Sequence, residues 1–426
     1  MQHDEEFIKN SKHFCILPWI HFHAWPDKRV MPCCVADSDI SFTNINNDNT
    51  ILEIMNADAF KDMRKALLND EKHPACTRCY ELEDYGTWTM RQSHNLDQGI
   101  NNLDIIASTH DDGSIDEFNL KYMDIRFSNL CNFKCRSCGP GCSSLWGEEK
   151  LTVLPAGTWL NATGRDPLVT NNENGLLMEK LYPYLDDVEE VYFAGGEILV
   201  TPEHYECLDY WIANGLAKDI RLNYTTNMSK ITYRDKSENR TRDLFDLWEH
   251  FGEIEIWASI DAIGPAGEII RKGFNWEKIQ NNLKTITERA PNIRVGITPT
   301  ISIWNIFAYS EMFDYMLENG IITPDIPPRL NILTSPDYAA IGILPDHVRA
   351  KLIKEFKVHM RHFASIGDVQ NRNRWAIIVD ALEKGEEDKE KLKEFFEDNK
   401  NLDKIRNESI LAVIPELREI KAWTET

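Results

Sequence analysis

The stretch KYMDIRFSNLCNFKCRSC, residues 121–138, joins a strand to a metal-binding pattern. Its first half, KYMDIRFSN, carries β-branched and aromatic residues and reads as a strand ending near Asn129. Its second half sets Cys131, Cys135 and Cys138 in C-x3-C-x2-C spacing. A loop leaving the carboxyl end of a strand is where parallel α/β sheets build their sites. Three thiolates so spaced can converge on one centre, and soft sulfur ligands select zinc or iron–sulfur. A set of three leaves a coordination position open, and an open position is a reactive one.

Downstream of this stretch, strand-like and helix-like segments alternate. Strands are expected at 188–196, 220–227, 253–261, 293–303 and 329–335, with helices such as 202–215, 240–252 and 275–290 between them. This alternation predicts βα units and a parallel sheet. With 121–129 the series has six strands, too few for a closed eight-stranded barrel, so a partial barrel is expected. The predicted organisation is a cysteine-rich module at 1–97, a linker or surface loop at 98–120, the partial barrel at 121–335 and a helical region at 336–426. Charge runs in that last region, such as KEKLKEFFEDNK, read as solvated helix faces.

The chain has 426 residues, 42% hydrophobic and 27% charged, as a soluble globular protein does. Its formal net charge of −22 repels phosphate backbones and argues against nucleic acid as a partner. The start MQHDEEFIKN lacks the pattern of a signal peptide, and no run of about 18 apolar residues occurs, so a cytoplasmic location without membrane contact is expected. Ten cysteines in such a chain point to metal chemistry before disulfides. All ten fall at or before Cys207.

Five of them lie upstream of the opening stretch, in FCILPWIHFHAWPDKRVMPCC (14–34) and CTRCYELEDYG (76–86). Cys76 and Cys79 form a C-x2-C chelating turn, which Cys15 and one of the adjacent Cys33 and Cys34 would complete to four ligands. Adjacent side chains diverge, so only one of that pair is expected to point inward. His21 and His23 would share one face of a strand, and such a pair reads as packed or surface residues before it reads as extra ligands. Glu81, Glu83, Asp84, Trp88, Met90 and Arg91 are candidates for a substrate entrance. Cys142 reads as a spare small residue, since a fourth thiolate would close the open position.

CxxxCxxC after the first strand of a partial (β/α)6 barrel resembles the radical S-adenosylmethionine (radical SAM) superfamily. The motifs Gly195-Gly196-Glu197, Thr225-Thr226-Asn227 and ASIDA, with Ser259 and Asp261, follow in the family's order. The resemblance implies a [4Fe–4S] cluster on Cys131, Cys135 and Cys138, whose open iron chelates SAM. Reductive cleavage of SAM would give a 5′-deoxyadenosyl radical that abstracts hydrogen from substrate. Gly195, Gly196 and Glu197 would receive the SAM ammonium group, Thr225 and Asn227 would be polar ligands, Ser259 and Asp261 would contact the ribose, and Arg271 would hold the SAM carboxylate. Backbone of 298–302 would contact adenine. Ser137 departs from the bulky residue common before the third cysteine.

The upstream set resembles the auxiliary-cluster module of the SPASM/twitch subgroup. Cys15, Pro18, Trp19, Pro32, Cys33, Cys34, Cys76, Cys79, Glu83 and Gly86 match its pattern. In the best-known members that module follows the barrel; here it precedes it. The resemblance implies a second [4Fe–4S] cluster able to accept an electron from a substrate radical. The expected function is therefore a radical SAM oxidoreductase or maturase acting on a peptide or peptidyl side chain, with an electron donor such as flavodoxin or ferredoxin; no catalytic residue is assigned. Two alternatives stand beside it: the same chemistry on a small molecule such as an aminocyclitol or sugar, and a non-catalytic zinc-binding protein.

Overall fold

The computed structural model describes residues 4–84, 88–153, 167–235 and 239–426. The chain is a mixed α/β protein with a large parallel sheet and many helices. By its internal contacts it divides into two compact units: Met1–Leu130 with Leu168–Asn223 and Glu249–Glu253, and Cys131–Pro167 with Tyr224–Trp248 and Ile254–Thr426. This division cuts across the four sequence segments expected above, because each unit gathers pieces distant in sequence.

In the first unit, strands His21–Ala24, Tyr122–Ile125 and Glu190–Phe193 run parallel, with His21 opposite Tyr122 and Tyr122 opposite Glu190. Arg29–Met31 pairs antiparallel with His21–Ala24, and Thr43–Asn44 closes that edge. Side chains alternate across the sheet. Met123, Ile125, Phe127, Val191 and Phe193 form an apolar face, buried with Leu208 and Trp211 of helix Pro202–Ala213. Tyr122, Asp124 and Arg126 fall on the opposite, polar face.

Helix Asp58–Leu68 buries Phe60, Met63 and Leu67, and also Arg64. The Arg64 guanidinium donates to the carbonyls of Pro18, Gly113 and Met55, which satisfies a charge that burial disfavours. The 98–120 stretch, expected as a linker or surface loop, contains helical turns at Ile100–Asn102 and Leu103–Ala107. It buries Ile106, Ile115, Phe118 and Leu120.

The second unit holds the parallel pair Glu253–Ala258 and Arg294–Ile297, with Ala258 opposite Ile297. The end of strand Arg221–Thr226 lies beside them, Ser259 N donating to Thr226 O at 2.8 Å. Gly296 is required here, since a Cβ would stand 2.5 Å from the Trp257 ring. Helix Trp276–Arg289 starts at an Asn275 cap, and Lys389–Arg406 at an Asp388 cap. The helices Asp346–Ser365 and Val369–Glu383 pack around Trp375, whose ring meets Tyr309, Phe313 and Phe356 at about 5 Å. Helices Asp346–Ser365, Val369–Glu383, Lys389–Arg406 and Leu417–Glu425 make up most of the chain after 345.

Candidate metal centres and their surroundings

Four thiols of the first unit line one cavity: Cys15, Cys33, Cys76 and Cys79, with Met90 and Arg91. Local structure aims each of them. Cys15 precedes the short helix Leu17–Ile20, and Cys33 opens a turn after strand Arg29–Met31. Cys76 ends the turn Pro74–Cys76, and Cys79 lies one helical turn on, in Thr77–Asp84. Burial raises all four thiols; neighbouring thiols add to it at Cys15, Cys33 and Cys76, and Glu83 adds to it at Cys79; Cys76 is pushed up to about 11.

Cys34 is absent from this cavity lining. Its thiol hydrogen-bonds Asp124, and burial first, then the Asp124 charge, pushes it up to about 12. The structure thus separates the adjacent pair, placing Cys33 with the four and Cys34 outside it.

Arg91 lines the same cavity. Its guanidinium is ion-paired with Glu83, which also accepts from the Thr89 hydroxyl, and it donates to Phe14 O beside Cys15 at 2.6 Å. Glu83, Met90 and Arg91 therefore belong to the surroundings of the thiols, where sequence suggested a substrate entrance. Gly86 of the same pattern lies outside the described residues. Pro18 and Trp19 act as packing: Trp19 is buried and donates to Thr109 at 2.8 Å.

The Gly195-Gly196-Glu197 turn also lies in the first unit. Gly195 has φ of +137°, and a Cβ on Gly196 would stand 2.3 Å from Leu130 O. Gly195 is favoured by its backbone angle and Gly196 by the close approach. Glu197 N donates to Leu130 O at 2.7 Å, and its buried carboxylate accepts from Leu199 N at 3.1 Å.

In the second unit the 131–138 loop is pinned by backbone and side chains. Cys135 pairs antiparallel with Arg271, and Trp146 Nε1 donates to Cys135 O at 2.7 Å. Cys138 N closes a turn onto Cys135 O. A hydrogen bond with the exposed Cys142 thiol, then burial, raises Cys138 well above its ordinary value. Burial raises Cys135, and Arg271 opposes it.

Arg271, Asp261, Asn227 and the cysteine loop come together in this unit. Arg271 makes two hydrogen bonds to Asp261, at 2.7 and 3.0 Å, and its Nη1 stands 3.8 Å from Cys135 Sγ. Asp261 also accepts from Thr300 N at 2.8 Å. Asn227 Nδ2 donates to Asn132 Oδ1 at 2.9 Å, inside the cysteine loop, and Asn132 in turn donates to Ser229. Ser259 and Thr225 sit at the ends of neighbouring strands. Sequence reading passed over Asn132 and Ser229, which no motif marks.

Among the described residues, one group of three His, Cys, Asp or Glu has ligand atoms all within 4.8 Å of one another: His21, His23 and Asp124. No three cysteine sulfurs among the described residues come that close together. All-sulfur donor sets of this kind suit zinc or an iron–sulfur cluster.

Residues 15–80 match the family model of SPASM, an iron-sulfur cluster-binding domain. No curated protein matches the chain. Solved structures of anSMEcpe are similar at low identity. Native anSMEcpe with bound AdoMet shares 16% identity over 57% of this chain and 61% of its own, with a TM-score of 0.37. A hexahistidine-tagged form with bound AdoMet shares 15% over 58% and 62%, TM-score 0.36. The form with AdoMet and the Cp18Cys peptide shares 15% over 56% and 59%, TM-score 0.32. The chain thus spans about three fifths of the length of these structures. No helix among the described residues is long and apolar enough to cross a membrane. Residues 15–80, which hold the upstream cysteines, are thus similar to the SPASM iron–sulfur cluster-binding domain, the module whose pattern those cysteines resemble in sequence.

Proposed function

We propose that the chain binds a [4Fe–4S] cluster and SAM at Cys131, Cys135 and Cys138, and a second [4Fe–4S] cluster at Cys15, Cys33, Cys76 and Cys79. On this reading it oxidises a peptide or peptidyl side chain, within a partial (β/α)6 barrel. Bound, these groups supply a hydrogen-abstracting 5′-deoxyadenosyl radical and an acceptor for the electron that remains on the substrate.

The chain's own residues prepare the sites. Arg271 is held on one edge by Asp261, leaving Nη1 beside Cys135 and a cation to offset thiolate charge or meet the SAM carboxylate. Asn227 fixes the cysteine loop through Asn132. Within the first unit the Gly196 backbone packs against Leu130, and Glu197 carries a buried carboxylate. Arg91 is the charged group among the four upstream thiols, where it offsets their negative charge. An electron donor such as flavodoxin or ferredoxin would supply electrons, and the cytoplasm is the compartment that fits free thiols.

The observation that carries this reading is the presence of two separate thiol sets, one of three and one of four. Anaerobic reconstitution should give a brown protein with about eight irons per chain. Replacing Cys131, Cys135 and Cys138 together with alanine should remove about half the iron and abolish 5′-deoxyadenosine formation. A colourless protein holding zinc at both sets, or 5′-deoxyadenosine from the triple variant, overturns the proposal. Deuterium carried from a labelled candidate peptide into 5′-deoxyadenosine tests the substrate class, and its appearance from a labelled sugar instead would favour the small-molecule alternative.

A further inference from the structure

Arg126 follows strand Tyr122–Ile125 on the polar face of the first unit's sheet, the face that also carries Asp124 and, from the next strand, Tyr192. Its Nε donates to Asp124 Oδ1 at 2.8 Å, and its Nη2 donates to Asp124 Oδ2 at 3.4 Å, so one edge of the guanidinium is taken. Trp25, just past strand His21–Ala24, and Tyr192, in strand Glu190–Phe193, flank it, with ring centres 5.4 and 5.5 Å from Cζ. The buried Asn171 holds two of these backbones together, its Nδ2 donating to Trp25 O at 3.0 Å and to Arg126 O at 3.1 Å. A carboxylate, two rings and a backbone clamp thus fix where the guanidinium lies.

A guanidinium offers five N–H groups in a rigid fork, and Asp124 occupies two of them. The others, on Nη1 and Nη2, form the end edge, which meets no further protein acceptor among the described residues. The Arg126 side chain keeps 16% of its surface exposed, whereas Asp124 keeps none. An edge of parallel N–H groups matches a carboxylate in bidentate fashion, and a pre-set fork loses little freedom on binding it. The head is drawn back along the strand to Asp124, while Gly195 stands beside the stem: a Cβ there would lie 3.7 Å from Arg126 Cα and Cδ. The guanidinium thus lies over the sheet's polar face rather than at the Gly195-Gly196-Glu197 turn expected to meet SAM.

We propose that Arg126 receives a carboxylate of the substrate, so that the peptide on which the chain acts carries an aspartyl or glutamyl side chain at the bound position. That the carboxylate belongs to the substrate rests on the function proposed above; the binding of the acid does not.

The test uses the full chain, anaerobically loaded with iron, and two probes in equilibrium dialysis, acetyl-Gly-Asp-Gly-amide and acetyl-Gly-Asn-Gly-amide. The acid should bind about tenfold or more tighter than its amide. Arg126→Lys keeps a cation beside Asp124 but loses the fork; it should remove most of that preference and leave iron content and SAM affinity unchanged. Trp25→Glu leaves the Arg126–Asp124 pair in place and offers Arg126 an internal carboxylate, so it should remove the preference too. Equal binding of acid and amide, binding of neither, or a preference that either variant keeps overturns the proposal. A loss of SAM affinity of about tenfold in Arg126→Lys also overturns it, by giving the carboxylate of SAM to Arg126. Should Arg126→Lys lose its iron, Trp25→Glu decides. If the preference is found and 5′-deoxyadenosine never forms, the acid subsite stands and the proposed reaction falls; if 5′-deoxyadenosine forms without the preference, the reverse holds.

Discussion

Cys33 and Cys34 share a backbone turn and the same chemistry, yet their surroundings differ completely. Cys33 lies with Cys15 and Cys76, whereas Cys34 lies against Asp124, on a strand far along the chain. Replacing Cys33 with serine should therefore cost the upstream cluster, about half the iron of the reconstituted protein, measured against protein concentration. Cys34→Ser should leave iron content near that of the unmodified chain. Equal iron loss from both would show that the cavity assigns the ligands wrongly. The ligand types and their spacing were legible in sequence; the choice between neighbours was not, because what decides it is a carboxylate on a different strand. Arg271 makes a second residue-scale case. Its doubly bonded contact with Asp261 needs a planar fork, which lysine lacks. Arg271→Lys should keep iron content while slowing reductive cleavage of SAM by about tenfold to a hundredfold, measured as 5′-deoxyadenosine formed per minute. Iron loss in that variant would instead make Arg271 a prop for Cys135.

Helix Lys389–Arg406 shows how an element can mislead a reader of charge patterns. Its many lysines and glutamates do cover a solvated face, as the sequence suggests. Its other face carries Asn399, Asp403 and Arg406 into the second unit's interior. Arg136, between Cys135 and Cys138 and with a fully buried side chain, donates to Asn399, Asp403 and Glu408. Glu408 also accepts from Lys272, and Arg406 pairs with Glu149, which Lys134 shares. The cations flanking the cysteine loop are thus matched by carboxylates, several of them supplied by the C-terminal segment. Breaking a buried pair by removing one partner strands the other charge and costs about 3–5 kcal/mol. Glu408→Gln should be mild, since Asp403 and Asn399 remain, whereas Arg136→Met should lower thermal stability and the retention of iron at the three-cysteine loop. Lys400→Ala, on the exposed face of the same helix, should change neither. Spacing along the helix was readable from sequence, but partners so distant along the chain were not.

At the scale of the whole molecule the largest legible feature was the alternation of strands and helices, since each expected strand segment holds a shorter strand, and 293–303 holds two, Arg294–Ile297 and Thr300–Ile301. The place of the strand His21–Ala24 in the sheet was not legible, because it is four residues long, is buried throughout, and pairs with Tyr122–Ile125, about a hundred residues on. Burial there has a consequence for pH. Burial holds His21 down to about 3 and His94 to about 4, and it also lowers His73 and His359. In the unfolded chain these imidazoles protonate near their ordinary value of about 6.5. Above that pH neither state binds the proton, and their contribution to stability is complete. As pH falls through about 6.5 the unfolded chain takes up protons that the folded chain refuses, so stability is lost progressively down to the folded values near 4 and 3. Each such histidine contributes a slope of at most about 1.4 kcal/mol per pH unit within its window. The melting temperature should therefore fall between about pH 7.5 and 5.5, well above the range where carboxylates titrate. His94→Gln, which removes one of these groups from beneath Tyr122, should shrink that fall even if it lowers stability at the higher pH. An unchanged difference between the two pH values in that variant would mean that His94 is protonated in the fold, contrary to its burial.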